Sequence, residues 1–377
     1  MRKIVLPVIL LAILIVVHLL SFRQNPSSLI APGIHPVVVL QEDLYAHSLS
    51  SSLSSTQKVG QLMFISIPPS ATEQDLRDTL GSIHPGGILL FASNIRSAEQ
   101  TRQLTSLLQQ IAQEQGDPPL FIAVDEEGGV VERIWFDPME YSAPELGSLN
   151  DEAAFRDVIK ETAATLTDLG INVNFAPVAD IAFSSNSIMV DRSYGSSVTG
   201  VSQRVSYAID EYLKNGIFPT VKHFPGHGRT TVDSHETLPS IDISNETWLE
   251  TDANPFRTAI STHVPFIMSG HIQYPQIDTN PASSSSVWLS QIVRDELGFN
   301  GIIVSDDIKM GAYSQDYATT ALHMITAGND MIIAAVDYDY LVDISNNLSS
   351  AIPQDSSDSQ LNESVLRILR LKYNLSR

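Results

Sequence analysis

An eight-stranded (β/α)8 TIM barrel is the fold this sequence predicts, and three observations predict it. Eight short, continuously apolar runs follow one another between residues 59 and 335. Amphipathic stretches with readable helix ends separate them. Polar residues able to do chemistry stand at the ends of the runs rather than inside them. Continuous apolar runs of this length suit strands buried on both faces of a parallel sheet, and their repeated alternation with helices is the pattern of a closed barrel. A doubly wound open sheet is the competing arrangement.

The strand runs are VGQLMFISI (59–67), GGILLFA (86–92), LFIAVD (120–125), INVNFAP (171–177), FPTVKHF (218–224), FIMSGHI (266–272), GIIVSD (301–306) and DMIIAA (330–335). Ser97-Ala-Glu-Gln100 reads as a capping box opening the helix AEQTRQLTSLLQQIA. Asn150 is placed to cap DEAAFRDVIKETAATLTDLG, which stops at Gly170. VSQRVSYAIDEYLKNG stops at Gly216, SVWLSQIVRDELG stops at Gly298, and SQLNESVLRILRLKYNL reads as a terminal helix.

Composition narrows the class. The chain has 377 residues, enough for one large core. At 43% hydrophobic and 17% charged it is globular rather than disordered. A formal net charge of -21 argues against a nucleic-acid partner, because neutralising phosphates takes clustered Lys and Arg. The absence of cysteine excludes disulfides, zinc–thiolate sites and a cysteine nucleophile.

The N-terminus carries a targeting signal. After Arg2 and Lys3 comes IVLPVILLAILIVVHLLSF, residues 4–22. The run is long enough to span a bilayer, with its basic end cytoplasmic. It exceeds the usual signal-peptide apolar region, and LLSFRQN offers no small-residue cleavage site. The expected organisation is a signal-anchor over 1–22, an extracytoplasmic Ser- and Pro-rich linker over 23–55, and the barrel over 56–377. The domain is therefore expected outside the membrane, anchored or secreted, as a monomer.

In a barrel all C-terminal strand ends share one face, where active sites lie. Asp125 follows LFIAV, Lys222 and His223 follow FPTV, His271 follows FIMSG, and Asp306 follows GIIVS. Asp306 thus sits where a partly desolvated carboxylate can act as a nucleophile; the plainer reading is that Asp306 or Asp307 caps the next helix. Asp125 and Arg133, across DEEGGVVER, suit bidentate hydrogen bonding to a polyol, or form a structural ion pair. Glu126 and Glu127 read as solvated or supporting. Arg192, in VDRSYGSS, suits a substrate carbonyl or simply pairs with Asp191.

The stretch KHFPGHGRTTVDSH (222–235) concentrates three histidines, a lysine and an aspartate. A metal site would draw on His223, His227, Asp233 and His235, but Pro225 and Gly226 forbid the helix that sets the familiar i,i+4 histidine pair. A phosphate cradle fits GHGRTT poorly. The better reading pairs Asp233 with His235: an extended segment puts residues i and i+2 on one side, and the carboxylate then makes the imidazole a general acid/base. Lys222 and His223 remain as substrate hydrogen-bond donors, and His227 serves either the loop or the ligand. No metal and no cofactor is called for.

KHFPGHG followed by DSH, together with DEEGG, INVNFAPVADI, DRSYG and GIIVSDDIKMGA, resembles the β-N-acetylhexosaminidases of glycoside hydrolase family 3 over residues 59–335. That resemblance implies a TIM-barrel retaining glycosidase releasing terminal β-linked N-acetylglucosamine, and the expected anchor adds a substrate outside the membrane, peptidoglycan or chitin-type fragments or other N-acetylglucosaminides. It implies Asp306 as the nucleophile and His235, paired with Asp233, as an acid/base on a mobile loop. Asp125, Arg133, Lys222, His223 and Arg192 would hold the sugar, Arg192 near the N-acetyl group. Glucosidase-type members take a glutamate acid from a second domain, for which this chain has no room after its last strand. Val130 stands where these enzymes commonly carry Arg. Four rivals remain: a β-N-acetylglucosaminide phosphorylase, another family 3 β-glycosidase, a metal-dependent hydrolase, and a non-catalytic glycan binder.

Overall fold

Each of the eight apolar runs contains a strand in the computed structural model, which describes residues 36–234, 236–313, 316–351 and 360–376. The strands are β1 (Met63–Ser66), β2 (Gly87–Leu89), β3 (Phe121–Val124), β4 (Val173–Asn174), β5 (Phe218–Phe224) and β6 (Phe266–Ser269), then β9 (Ile302–Asp307) and β10 (Met331–Ala334). A short antiparallel pair, β7 (Gln273–Tyr274) and β8 (Asp278–Pro281), lies between β6 and β9 in sequence and outside the barrel. The barrel neighbours are all parallel, in the order β1-β10-β9-β6-β5-β4-β3-β2, and β1 pairs with both β2 and β10. The ring closes, so the open sheet is excluded.

The helix ends repeat the sequence signals with local shifts. Ser97 accepts from the Gln100 N–H at the start of helix Ala98–Glu114, but the Gln100 carboxamide receives the Arg96 N–H instead of completing the box. Asp151, not Asn150, caps helix Glu152–Asp168: its carboxylate takes the Ala153 and Ala154 N–H groups, and Asn150 stands one residue too early. Segment Val287–Glu296 is a π-helix; its wide turn brings Trp288, Leu289, Ile292 and Val293, repeating every four residues, into the core. Gly170, Gly216 and Gly298 all carry positive φ just past helix ends.

Aromatic side chains fill the barrel. Phe64 meets Phe121, Phe175 and Phe266 at ring-centre distances of 6.0, 5.4 and 6.4 Å. Below them the terminal helix Gln360–Lys372 sends Lys372 in at the N-terminal end, fully buried, where its Nζ lies 5.0 Å over the Phe121 ring and 2.7 Å from Gln61 Oε1. The lower end is therefore plugged, and only the C-terminal mouth is left for chemistry.

The chain divides between Asp43 and Leu44, and Leu44–Arg377 holds the whole barrel. The stretch expected to be a Ser- and Pro-rich tether carries helix Pro36–Ser52. Among the described residues no helix is long and apolar enough to cross a membrane. Residues 4–22, expected to form the anchor, lie outside the described residues.

Candidate active site

Strand β5 supplies the centre of the mouth. Consecutive strand residues ordinarily point to opposite faces, but the register of β5 against β6 slips between Val221 and Phe224. Such an irregularity re-aims side chains, and both Lys222 and His223 reach into one polar network. The Lys222–His223 peptide is cis.

Lys222 Nζ lies 2.6 Å from Asp125 Oδ1 at the end of β3 and 2.6 Å from Glu127 Oε1. Glu127 in turn takes two hydrogen bonds from Arg192, at 2.7 and 2.8 Å. Burial alone would raise the Glu127 pKa; Lys222 and Arg192 outweigh it and hold the carboxyl well below the usual carboxylate range. Burial alone would discharge Lys222, and Asp125 with Glu127 keeps it an ammonium.

Arg192 Nη2 also approaches His223 Nε2 at 3.4 Å. A guanidinium can only donate, so His223 Nε2 accepts there and its proton sits on Nδ1. That Nδ1–H donates to Asp180 Oδ2 at 2.6 Å, and Asp180 Oδ1 accepts the His227 N–H at 2.6 Å. Asp180 is fully buried in the apolar run NFAPVADI. Burial pushes its pKa up, and His223 and His227 more than reverse this.

Asp306, near the end of β9, faces this cluster. Burial would raise its pKa, yet His223, His271, the Asp307 N–H (2.9 Å) and Lys222 bring it below the ordinary value. It does not cap the next helix; Asp316 does, at helix Tyr317–Ala327. The neighbouring Asp307 carboxylate accepts the Lys309 and Ala335 N–H groups, tying β9 to β10, and burial first of all lifts its pKa to about 6. A cleft of about 980 Å³ opens on this side, lined among others by Ser66, Phe91, Asp307, Asp337 and Tyr338.

The structure thus brings Asp125, Lys222, His223, Arg192 and Asp306 together. Two sequence expectations change. Asp125 is ion-paired with Lys222, not with Arg133, whose N–H binds Glu126 Oε2 and whose Nε is buried without a partner. Arg192 pairs with Glu127 rather than Asp191, and Glu127 takes the supporting one of its two readings, as a buried hub. Glu126 is buried as well, its pKa pushed to about 7 chiefly by desolvation. Of the proposed acid/base pair, Asp233 is half-buried and its carbonyl accepts from the Glu236 and Thr237 N–H groups; His235 lies outside the described residues. Val130, at the rim of the DEEGG turn, is 65% exposed.

Sequence reasoning passed over Asp180 and the hub role of Glu127. The signal for Asp180 was present: a carboxylate inside an apolar run is buried only when paired. Among the described residues no group of three or more His, Cys, Asp or Glu side chains could hold a metal ion, and both nitrogens of His223 are committed to Asp180 and Arg192.

A closed (β/α)8 barrel hosts many chemistries; an ionised carboxylate at its mouth, faced by hydrogen-bonding cations and imidazoles, suits glycoside hydrolysis. The family model "Glycosyl hydrolase family 3 N terminal domain" matches residues 54–371. The chain belongs to that family. It is similar to a beta-hexosaminidase of Methylobacillus flagellatus, 33% identical over 79% of this chain and 86% of that one, and to one of Tolumonas auensis, 38% identical over 67% and 76%. A solved glycoside hydrolase family 3 beta-N-acetylglucosaminidase from Paenibacillus sp. str. FPU-7 superimposes with a TM-score of 0.80 at 33% identity, over 86% of this chain and 63% of that longer one.

Proposed function

We propose that this chain is a retaining, exo-acting β-N-acetylhexosaminidase. The observation that carries the reading is the ionised Asp306 facing Lys222 and His223 beside the Asp125–Lys222–Glu127–Arg192 network. Asp306 attacks the anomeric carbon while the glycosidic C–O bond breaks, and the leaving oxygen takes a proton from His235, oriented by Asp233. Water then attacks the same carbon, gives its proton back to His235, and releases Asp306. Asp125 and Lys222, with Arg133, bind ring hydroxyls; Arg192 and His223 receive the N-acetyl side.

One support comes from charge assignment. The mouth carboxylates Asp125 and Glu127 are committed to Lys222 and Arg192 as salt bridges, so neither is poised to give up a proton. A histidine fills that role at neutral pH. The substrate class rests on the relatives' names and on this geometry; the cleft beside Asp307 leaves space for a peptidoglycan- or chitin-type leaving group. Export follows from residues 4–22, which we read as a membrane anchor; fractionation that left the full chain wholly in the cytosol would refute it.

The decisive experiment traps the enzyme with a 5-fluoro-N-acetylglucosaminyl donor and maps the labelled peptide. Label on Asp306 is the expected result, and label elsewhere overturns the mechanism. Running the same turnover with inorganic phosphate and finding sugar 1-phosphate would make the enzyme a phosphorylase instead.

A further inference from the structure

His227 is absorbed by none of the roles above, yet its surroundings are specific. The ring is 1% exposed, stands edge-on to His223 with ring centres 6.0 Å apart, and has its backbone N–H fixed by Asp180. Its Nε2 lies 3.0 Å from Ser234 Oγ, a side chain that is itself buried. Ser234 is the residue between Asp233 and His235. Nδ1 is buried with no partner. An orphaned buried N–H is rarer than an under-used acceptor, so the proton belongs on Nε2, which donates to Ser234.

The His227 side of this contact is held rigidly. Tyr274 Oη donates to Gly226 O at 2.7 Å, Trp248 Nε1 donates to Pro225 O at 2.9 Å, and Arg229 is clamped by Asp252 and by the Phe183 ring. The turn 225–229 is thus bolted to the loops and helices around the mouth, and its histidine reaches the segment beyond. One carboxylate, Asp180, orients both the sugar-facing His223 and the segment-facing His227.

We propose that His227 is a positioning residue: its hydrogen bond to Ser234 is the catch that fixes the backbone beside Asp233, the proposed partner of the acid/base His235. The inference rests on the glycosidase reading above. The neutral imidazole suits the task, since burial pushes its pKa down to about 4 and its donor role does not change across the working pH range.

The test exploits leaving groups. With a 2,4-dinitrophenyl N-acetylglucosaminide the departing phenolate needs no proton; with an alkyl or methoxyphenyl glycoside it does. The ratio kcat/KM reports only the first, glycosylating step. Ser234→Ala is expected to lower kcat/KM by about 10–100-fold on the poor leaving group and by less than about threefold on the dinitrophenyl substrate. Ser234→Thr, which keeps the hydroxyl, restores it. His227→Gln repeats the pattern if it folds, and Ser234→Ala carries the test if it does not. Equal losses on both substrates, or no loss on either, would overturn the catch while leaving the glycosidase reading intact. A wild-type chain inert toward both glycosides would overturn that reading, and the catch with it.

Discussion

Glu127 and Lys222 form a buried ion pair, 2.6 Å apart with both side chains 2% exposed. The pair matters because Glu127 also holds Arg192, so one carboxylate fixes two of the cations expected to meet the sugar. Glu127→Gln keeps the shape and removes the charge. Breaking a buried pair costs about 3–5 kcal/mol, mostly from the charge left behind. The variant should lose stability on that scale in urea titration and show a raised KM for N-acetylglucosaminides. Unchanged stability would mean that water reaches this pair.

The two adjacent carboxylates of β9 should separate cleanly. Asp306→Asn should lower kcat by at least roughly 10³-fold, as for other nucleophile deletions. Asp307→Asn touches, among the described residues, the Lys309 and Ala335 N–H groups and should keep turnover within about tenfold. Steady-state kinetics of both variants decide it; a reversed order would place the nucleophile one residue on.

Lys372 makes stability depend on pH. Burial drops its pKa from 10.5 to about 7, with Asp117 only partly opposing. Between those values the unfolded chain binds a proton that the folded chain does not, so stability rises as pH increases from about 7 towards 10. The slope contributed is at most about 1.4 kcal/mol per pH unit. Lys372→Met should flatten this rise when urea midpoints are followed against pH. Persistence of the full slope in the variant would assign it to another group.

Gly228 is required by close approach, not by backbone conformation. A Cβ there would stand 1.9 Å from the Ile181 carbonyl oxygen, a backbone atom beside Asp180 that cannot yield cheaply. Gly228→Ala should cost about 1–3 kcal/mol by overpacking and disturb the His227 turn. A lowered melting temperature together with reduced activity is the expected readout, and wild-type values for both would show that the loop relaxes freely.

Much of this molecule was readable from local pattern. Seven of the eight barrel strands lie inside the apolar runs and β9 passes its run by one residue, and Asp125, Lys222, His223 and Asp306 stand at or within a residue or two of the run ends, because strands buried on both faces exclude polar groups until they emerge at the mouth. The cap at Asp151 and the missing box at Gln100 were not readable, since neighbouring polar groups compete for the same N–H and only coordinates show which one reaches it.

The sequence by itself determined the strand–helix alternation, the glycines that end helices, and the carboxylate and cations at the strand ends; closure of the ring came from the structure. Each follows from the chemistry of a short segment. Only the tertiary structure decided who meets whom. Lys222 reaches Asp125 across 97 positions, Arg192 chooses Glu127 over the adjacent Asp191, and Asp180 joins two histidines from β5 and its turn. Partner choice among several charges is a contest of desolvation and distance inside a dry mouth, and neither quantity exists until the barrel closes.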